Sequence, residues 1–468
     1  MISVSNKLCK IEQEYNLFDL EVNNIKIYQH TRLYIYHSLL LPALGIFSPP
    51  AIFPKYRNIA NNMFSYLLHS IKHNEFYGLK KCEYLLIGSK RLEFINSNYI
   101  DIYNDYYLEY LKNVTLLKRP YRGITNFYKF GNNDKVYEDY FNIKAKILPY
   151  FYSKTNQQIE KIAKDLTDIL NRCFDVKISL IKLRNYFLSI NYKIITARVL
   201  VKQVHPKVII TNSWAGATPY IQAAKELKIP VIEIQHGPTY PGQITYDYPN
   251  SFNTDISIFP DYVFLFGDFW KKNITFPIKQ ENVISVGFPH FESFKKNVSP
   301  QRVKNQIIVL SQNVLGRKLF DLSIYLSKKL PSFRVIYKLH PKQYFNWKKE
   351  LLDKIGDIPE NLIFADEDSK PLYHYLAKSE YQIGVFSTAL FEGIGFGLKT
   401  IICKLPGWEN VKEIINNNYA VLAEKDDIPS LIQNGKLKEL DIDSEKFFKN
   451  NSINNILSNI QKISNVKI

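Results

Sequence analysis

The sequence predicts an α/β fold: two Rossmann-like, doubly wound domains facing a central cleft. Three observations predict it. In the C-terminal third, short apolar runs alternate with amphipathic stretches at the spacing of a parallel sheet with right-handed crossovers. A less regular version of the same rhythm fills the region before residue 290. A polar segment, Gly287 to Gln306, with Pro289 and Pro300, reads as the linker between them. A chain of 468 residues is also too long for one ordinary core.

Taken in order, residues 1–80 read as an accessory element of the first domain and 81–297 as that domain. Its strands are expected at Glu83–Gly88, Val208–Thr211, Pro230–Ile234, Tyr262–Phe266 and Val283–Val286. Gln157 to Val201 recurs at three and four and reads as helical, as does Thr218–Leu227. Residues 298–440 form the second domain. Strands are expected at Ile307–Leu310, Arg334–Leu339, Leu362–Phe364, Tyr381–Phe386, Thr400–Cys403 and Ala420–Leu422. Helices are expected at Lys318–Lys329, Phe345–Ile355, Leu372–Ser379 and Thr388–Phe396. Residues 441–468 read as terminal helices that can pack back on the first domain.

The apolar fraction is 46% and the aromatic fraction 14%, which excludes disorder. The net charge of +17 fits an anionic partner. The basic residues are scattered, and no zinc-finger spacing or aromatic RNA-binding motif occurs, so nucleic acid is not expected. An anionic inner-membrane surface or an acidic glycan fits better. The cysteines, Cys9, Cys82, Cys173 and Cys403, form no CxxC pair, which speaks against a metal or redox site and suits a reducing cytoplasm. Met1–Lys10 lacks the apolar core of a signal peptide. The most apolar stretch, Leu33–Phe47, falls short of the roughly 20 residues of a spanning helix and contains Pro42. It reads as a core helix, or as a surface dipping into the membrane interface between basic flanks Lys26, Arg32, Lys55 and Arg57. A cytoplasmic protein, peripheral on the inner face of the membrane in the second reading, is the expectation.

Two short motifs carry the chemistry. Lys338-Leu339-His340-Pro341 ends one strand of the second domain, and Ser387-Thr388 with Glu392 follows another. In an open parallel sheet, that edge is where ligands bind. Pro341 favours an extended conformation at His340. A histidine there can donate to, or protonate, a phosphate. Ser387 is an N-cap whose hydroxyl and neighbouring N–H groups suit phosphate oxygens, and Glu392 one turn on can accept from ribose hydroxyls. Ser311-Gln312-Asn313 ends the first strand of the same domain. In the first domain, Gln235-His236-Gly237 follows a strand, and Asn212 ends the strand before it; His290, near the linker, and Asp101 are further candidates for the sugar or acceptor side, with Asp105 and Glu93 close to Asp101 in sequence. His205-Pro206 precedes a strand and reads as structural. No GxxxxGK[ST] loop is present, against an ATPase or kinase.

At these residues the chain resembles the GT-B glycosyltransferases of bacterial capsule and lipopolysaccharide biosynthesis, and among them the sialyltransferases and polysialyltransferases with His-Pro and Ser-Ser/Thr motifs. The likeness covers about residues 200 to 425. It implies that His340-Pro341 and Ser387-Thr388 hold the CMP part of a CMP-sugar, that no metal or other cofactor is needed, and that a nonulosonic acid or Kdo-like sugar passes to a surface polysaccharide or lipid-linked glycan. The acidic triplet that supplies the base in such sialyltransferases is absent here. CDP-glycerol-type polyol-phosphate transfer, UDP- or GDP-sugar transfer, and a non-catalytic basic scaffold binding membrane or glycan are the alternatives.

Overall fold

The computed structural model describes residues 2–46, 79–89, 91–95, 98–118, 134–138, 145, 153–248, 256–272, 274–297, 301–312, 314–341, 343–344, 347–352, 357–366, 370–435, 437 and 443–467. Phe47, Lys55, Arg57, Pro300 and Asn313 lie outside them, as do positions 345, 346 and 353–356 of the helix expected at Phe345–Ile355.

Six strands of the second domain form one parallel sheet in the order Leu362–Ala365, Arg334–Lys338, Gln306–Leu310, Tyr381–Gly384, Lys399–Cys403, Val421–Ala423. The chain winds outward in one direction, returns, and winds outward in the other. The reversal falls between Gln306–Leu310 and Tyr381–Gly384. The first domain repeats this logic with seven parallel strands, in the order Asp134–Tyr137, Val114–Lys118, Tyr84–Ile87, Val208–Thr211, Val231–Ile234, Tyr262–Leu265, Val283–Ser285. Its reversal lies between Tyr84–Ile87 and Val208–Thr211. Both central strands are fully buried and, apart from Gln306 at the start of one, apolar, as strands covered on both faces must be.

The helices Ser153–Phe174 and Leu180–Val204 confirm the periodicity of that region. The N-terminal segment packs on the second of them. Its apolar stretch is core: Ile35, Tyr36, Leu39, Leu40 and Leu41 are buried. Arg32 is not a membrane-facing flank. It is 1% exposed and forms a buried pair with Glu12, its Nε 2.6 Å from Oε1. Lys26 pairs with Asp19 and Glu21. No helix of the described residues is long and apolar enough to cross a membrane.

The expected linker segment runs between the two sheets, but part of it is regular structure that the sequence pattern did not suggest. Pro289–Asn297 is a helix, begun by a proline whose missing N–H costs nothing there. Its buried face, His290 and Phe291, is part of the seam between the domains. Phe291 stacks on Phe448 at 4.2 Å and meets Phe396 edge-on at 5.5 Å. A Cβ on Gly395 would lie 2.6 Å from the Phe291 ring, so only glycine lets the two helices approach this closely. The tail then returns to the first domain. Phe447 accepts a hydrogen bond from Trp270 Nε1 through its carbonyl (2.7 Å), and helix Ser452–Ser464 buries Ile456 and Ile460 against Tyr84, Leu86 and Val208. Two doubly wound domains with facing strand ends and a returned terminal helix constitute the GT-B arrangement.

Candidate functional site

The second domain's crevice is built at its reversal point. Gln312 Oε1 accepts from the Phe386 N–H at 3.2 Å, which ties together the ends of the two strands that diverge there. Ser387 caps helix Thr388–Gly395, its hydroxyl accepting from the Ala389 N–H at 3.3 Å. Ser387 and Thr388 are partly exposed at this edge, and Ser387 leaves the first turn's remaining donors facing outward. The His340-Pro341 loop is held to the same place by Gln343. Its Oε1 accepts from the His340 N–H (2.9 Å) and from the Ser311 hydroxyl (2.6 Å), and its own N–H donates to the His340 carbonyl (2.8 Å). Ser311 also meets the Tyr337 hydroxyl at 2.7 Å. Ser311 and Gln312 therefore use their side chains to build the crevice, whereas His340 is anchored through its backbone.

Lys338 is buried. Its Nζ donates to the Tyr344 hydroxyl (2.9 Å) and to the carbonyls of Ala365 and Asp366 (3.3 Å each). Burial pulls its pKa down to about 8, against the nearby charges of Glu93 and Asp366. It is a cation held just behind the crevice rather than on a mobile stem.

The opposite wall comes from the first domain's reversal point. Asn104 donates through Nδ2 to Asp101 Oδ2 (2.9 Å) and to Asn212 Oδ1 (2.6 Å), linking the two diverging strand ends. Asp101 is satisfied: besides Asn104, it accepts from the Ser89 N–H and hydroxyl and from the Tyr103 N–H. Four donors around one carboxylate describe a structural anchor. Asn212 keeps its Nδ2 buried without a partner. Gln235 clamps the next loop, donating to the Gly237 carbonyl (2.8 Å) and accepting from the Phe266 N–H (2.7 Å). A Cβ on Gly237 would meet nothing within 4 Å, so the space in front of this loop is open. His236 lies there with a side chain 40% exposed, its carbonyl held by the Tyr103 hydroxyl at 2.6 Å.

Between the walls the two domains exchange charge. Arg91 and Glu93 come from the hairpin after the strand Tyr84–Ile87. Arg91 donates to the Tyr103 hydroxyl (3.1 Å), and its charge acts on Glu392 of the second domain. Glu93 lies 3.3 Å from His290 Nε2, while His290 Nδ1 meets the Tyr106 hydroxyl at 2.9 Å. The His290 hydrogen bond, with the charges of His290, Arg91 and Lys338, outweighs desolvation and holds the Glu93 carboxyl below its ordinary value. His290 is thus gripped within the domain seam. Glu392 is 3% exposed and faces Arg91 and Tyr373, which places it on this seam behind the capped turn.

Burial pushes the Glu392 carboxyl up to about 7, with Arg91 opposing and Glu93 reinforcing the shift. The unfolded chain releases this proton near the ordinary value of 4.5 and the folded chain near 7. The folded state therefore binds more protons in between. The stability this group contributes is present below that window and is lost as pH rises through it, at up to about 1.4 kcal/mol per pH unit. Denaturant unfolding should show wild type losing stability relative to Glu392→Gln as pH rises from mildly acidic to neutral. Parallel curves would contradict the assignment.

The motifs at residues 338–341 and 387–392 meet at one sheet edge, and the candidates Asn212, Gln235, His236 and Gly237 at the edge opposite. Arg91 and Gln343 carry no signal in the sequence, because each acts through a contact distant along the chain or through a turn of no fixed pattern. Glu233, discussed below, sits inside an apolar strand and reads there as one polar interruption.

No protein-family model matches the chain, and no curated protein matches it. Among solved structures, the chain is similar to MurG of Acinetobacter baumannii (13% identity, TM-score 0.49, covering 81% of this chain and 99% of that one). It is also similar to the UDP-GlcNAc 2-epimerase of Methanocaldococcus jannaschii (12% identity, TM-score 0.48, 81% and 99%) and to the glycotransferase of kitacinnamycin (10% identity, TM-score 0.46, 83% and 95%). Likenesses this distant assign no residue a role.

Proposed function

We propose that the protein is a glycosyltransferase that takes its sugar from a nucleotide-linked donor. The observation that carries this reading is the second domain's crevice. The Gln312–Phe386 link and the Gln343 clamp bring a capped helix N-terminus and His340 to one sheet edge, facing a second crevice that holds His236. The donor's phosphate sits at the Ser387-Thr388 turn. His340 donates a hydrogen bond to it as the glycosidic bond breaks, and Lys338 supplies positive potential from behind. The acceptor hydroxyl enters from the opposite wall, beside His236. Glu392 serves the donor side from the seam rather than by direct contact.

The finer reading follows the motif resemblance: a CMP-linked nonulosonic acid or Kdo-like sugar, passed to a surface polysaccharide or lipid-linked glycan, with contact to an anionic membrane surface supported by the net charge of +17. Thermal unfolding with CMP, CDP, UDP and GDP tests it. A nucleotide at a hundred times its Kd adds about 2.7 kcal/mol of stability. CMP is expected to give the largest rise. Stabilisation by UDP and not CMP would replace the donor while keeping the site. No response to any nucleotide, together with salt-sensitive binding to anionic vesicles, would overturn the enzyme in favour of a scaffold.

A further inference from the structure

We infer that Glu233 is a positioning residue for His236, holding its imidazole and stabilising it once it gains a proton. The inference rests on the proposed function for its catalytic consequence, but the pairing itself does not.

Glu233 belongs to the strand Val231–Ile234, whose other three residues are apolar, and it is 0% exposed. A carboxyl is costly in such a place unless it is used. Its Oε1 accepts from the Tyr246 hydroxyl (2.7 Å) and from the Trp214 N–H at the start of helix Trp214–Glu226 (3.3 Å). Those two donors fix the side chain. Its Oε2 is buried and has no partner. The nearest titratable group besides Tyr246 is His236, whose Nδ1 lies 3.8 Å from Oε1. A small rotation of the half-exposed imidazole closes that gap to a hydrogen bond. The Tyr103 hydroxyl holds the histidine's carbonyl, so the backbone stays in place as the ring turns.

The two residues are three apart, one inside the strand and one just beyond it. The strand thus delivers a buried acid behind an exposed base, the order found wherever a carboxylate orients a catalytic imidazole. In the transfer step the acceptor oxygen bonds to the donor's anomeric carbon. The anomeric carbon–oxygen bond to phosphate breaks, and its electron pair leaves on the phosphate. The acceptor's proton passes to His236 Nε2. Glu233 takes no proton from the substrate; its negative charge offsets that of the new imidazolium through Nδ1–H.

Desolvation pushes the Glu233 carboxyl up to about 8, opposed by the Tyr246 and Trp214 hydrogen bonds. Among the described residues, the titratable groups facing it are Tyr246 and His236, and Tyr103 acts on Tyr246 in turn. A proton on His236 would place a positive charge 3.8 Å from Glu233 Oε1, which favours the carboxylate against that desolvation, so carboxylate and imidazolium form together.

Nuclear magnetic resonance of histidine-labelled protein tests the pair without any need for activity, with His236→Gln identifying the signal. In Glu233→Gln, of the same shape without the charge, the His236 midpoint is expected to fall by about one unit, a tenfold loss of proton affinity. Glu233→Asp, with the charge withdrawn by one methylene, should give an intermediate midpoint and serves in its place where the glutamine variant does not fold. An unchanged midpoint in a folded variant overturns the pairing. With whichever donor the nucleotide screen identifies, Glu233→Gln should lower kcat about tenfold or more, with KM little changed and the acidic side of the pH profile displaced to lower pH. A change in KM alone overturns the positioning role. Wild-type protein that transfers nothing from any nucleotide donor overturns the proposed function, and the resonance result still decides the pair.

Discussion

His340→Ala is expected to lower transfer about a hundredfold or more while leaving the protein folded. The first half follows from placement. His340 lies two residues beyond the strand Arg334–Lys338, at the same sheet edge as the capped turn at Ser387, where a donor aimed at a departing phosphate stabilises the charge that develops on it. The second half follows from how the loop is fixed. Gln343 grips the His340 N–H and carbonyl, and the Ser311 hydroxyl grips Gln343. The clamp needs no imidazole. A Cβ on Gly316 would lie 2.0 Å from the Gln343 side-chain nitrogen, so the clamp is also packed in place. Steady-state transfer and a denaturation curve check both halves together. Wild-type turnover would remove His340 from the mechanism, and a large loss of stability would make the defect one of folding.

Glu12→Leu is expected to destabilise the protein by about 3–5 kcal/mol, the usual cost of removing one partner of a buried pair. Glu12 and Arg32 are each 1% exposed. The guanidinium donates to both carboxylate oxygens, at 2.6 and 2.9 Å, and to the Ile244 carbonyl at 2.6 Å; the Tyr28 hydroxyl donates to Glu12 as well, at 2.7 Å. Loss of Glu12 strands a buried cation and a phenol. Glu12→Leu with Arg32→Met should recover much of the loss, because the stranded charge is the main penalty. A single variant within about 0.5 kcal/mol of wild type, the range of surface changes, would refute the account. Because Arg32 reaches Ile244, this pair ties the N-terminal helices to the loop after His236, so the variant also tests whether residues before 80 support the site.

Much of the fold was legible because burial on both faces of a parallel sheet leaves an unbroken apolar run. Ile307–Leu310, Val208–Thr211 and Tyr262–Phe266 could hardly be anything else, and the observed strands match them to within a residue or two. The strands Val114–Lys118 and Asp134–Tyr137 were not foreseen. The second starts Asp-Lys and lies at the sheet edge, where the run is not required. The segment Gly287 to Gln306 does run from one sheet to the other, but the helix within it was not foreseen, for a related reason. Gly287 to Gln306 is polar in composition, yet the residues its helix buries, Pro289, His290 and Phe291, are consecutive. They face the other domain, and a helix of nine residues shows no period from a single contact.

The sequence by itself determined the two sheets, the strand ends that carry His340, Ser387 and His236, and hence where ligands can meet the protein. Those features are local: a buried run, a proline, a cap. Only the tertiary structure decided which polar groups were spent on scaffolding and which face the cleft. Ser311 and Gln312 are consumed by partners distant in the chain and Asp101 by donors at most 12 residues away, while Glu233, one polar letter in an apolar strand, stands behind His236. A hydrogen bond across 74 residues leaves no trace in either partner's neighbours, because its energy depends on the distance between two atoms and not on the chain that joins them.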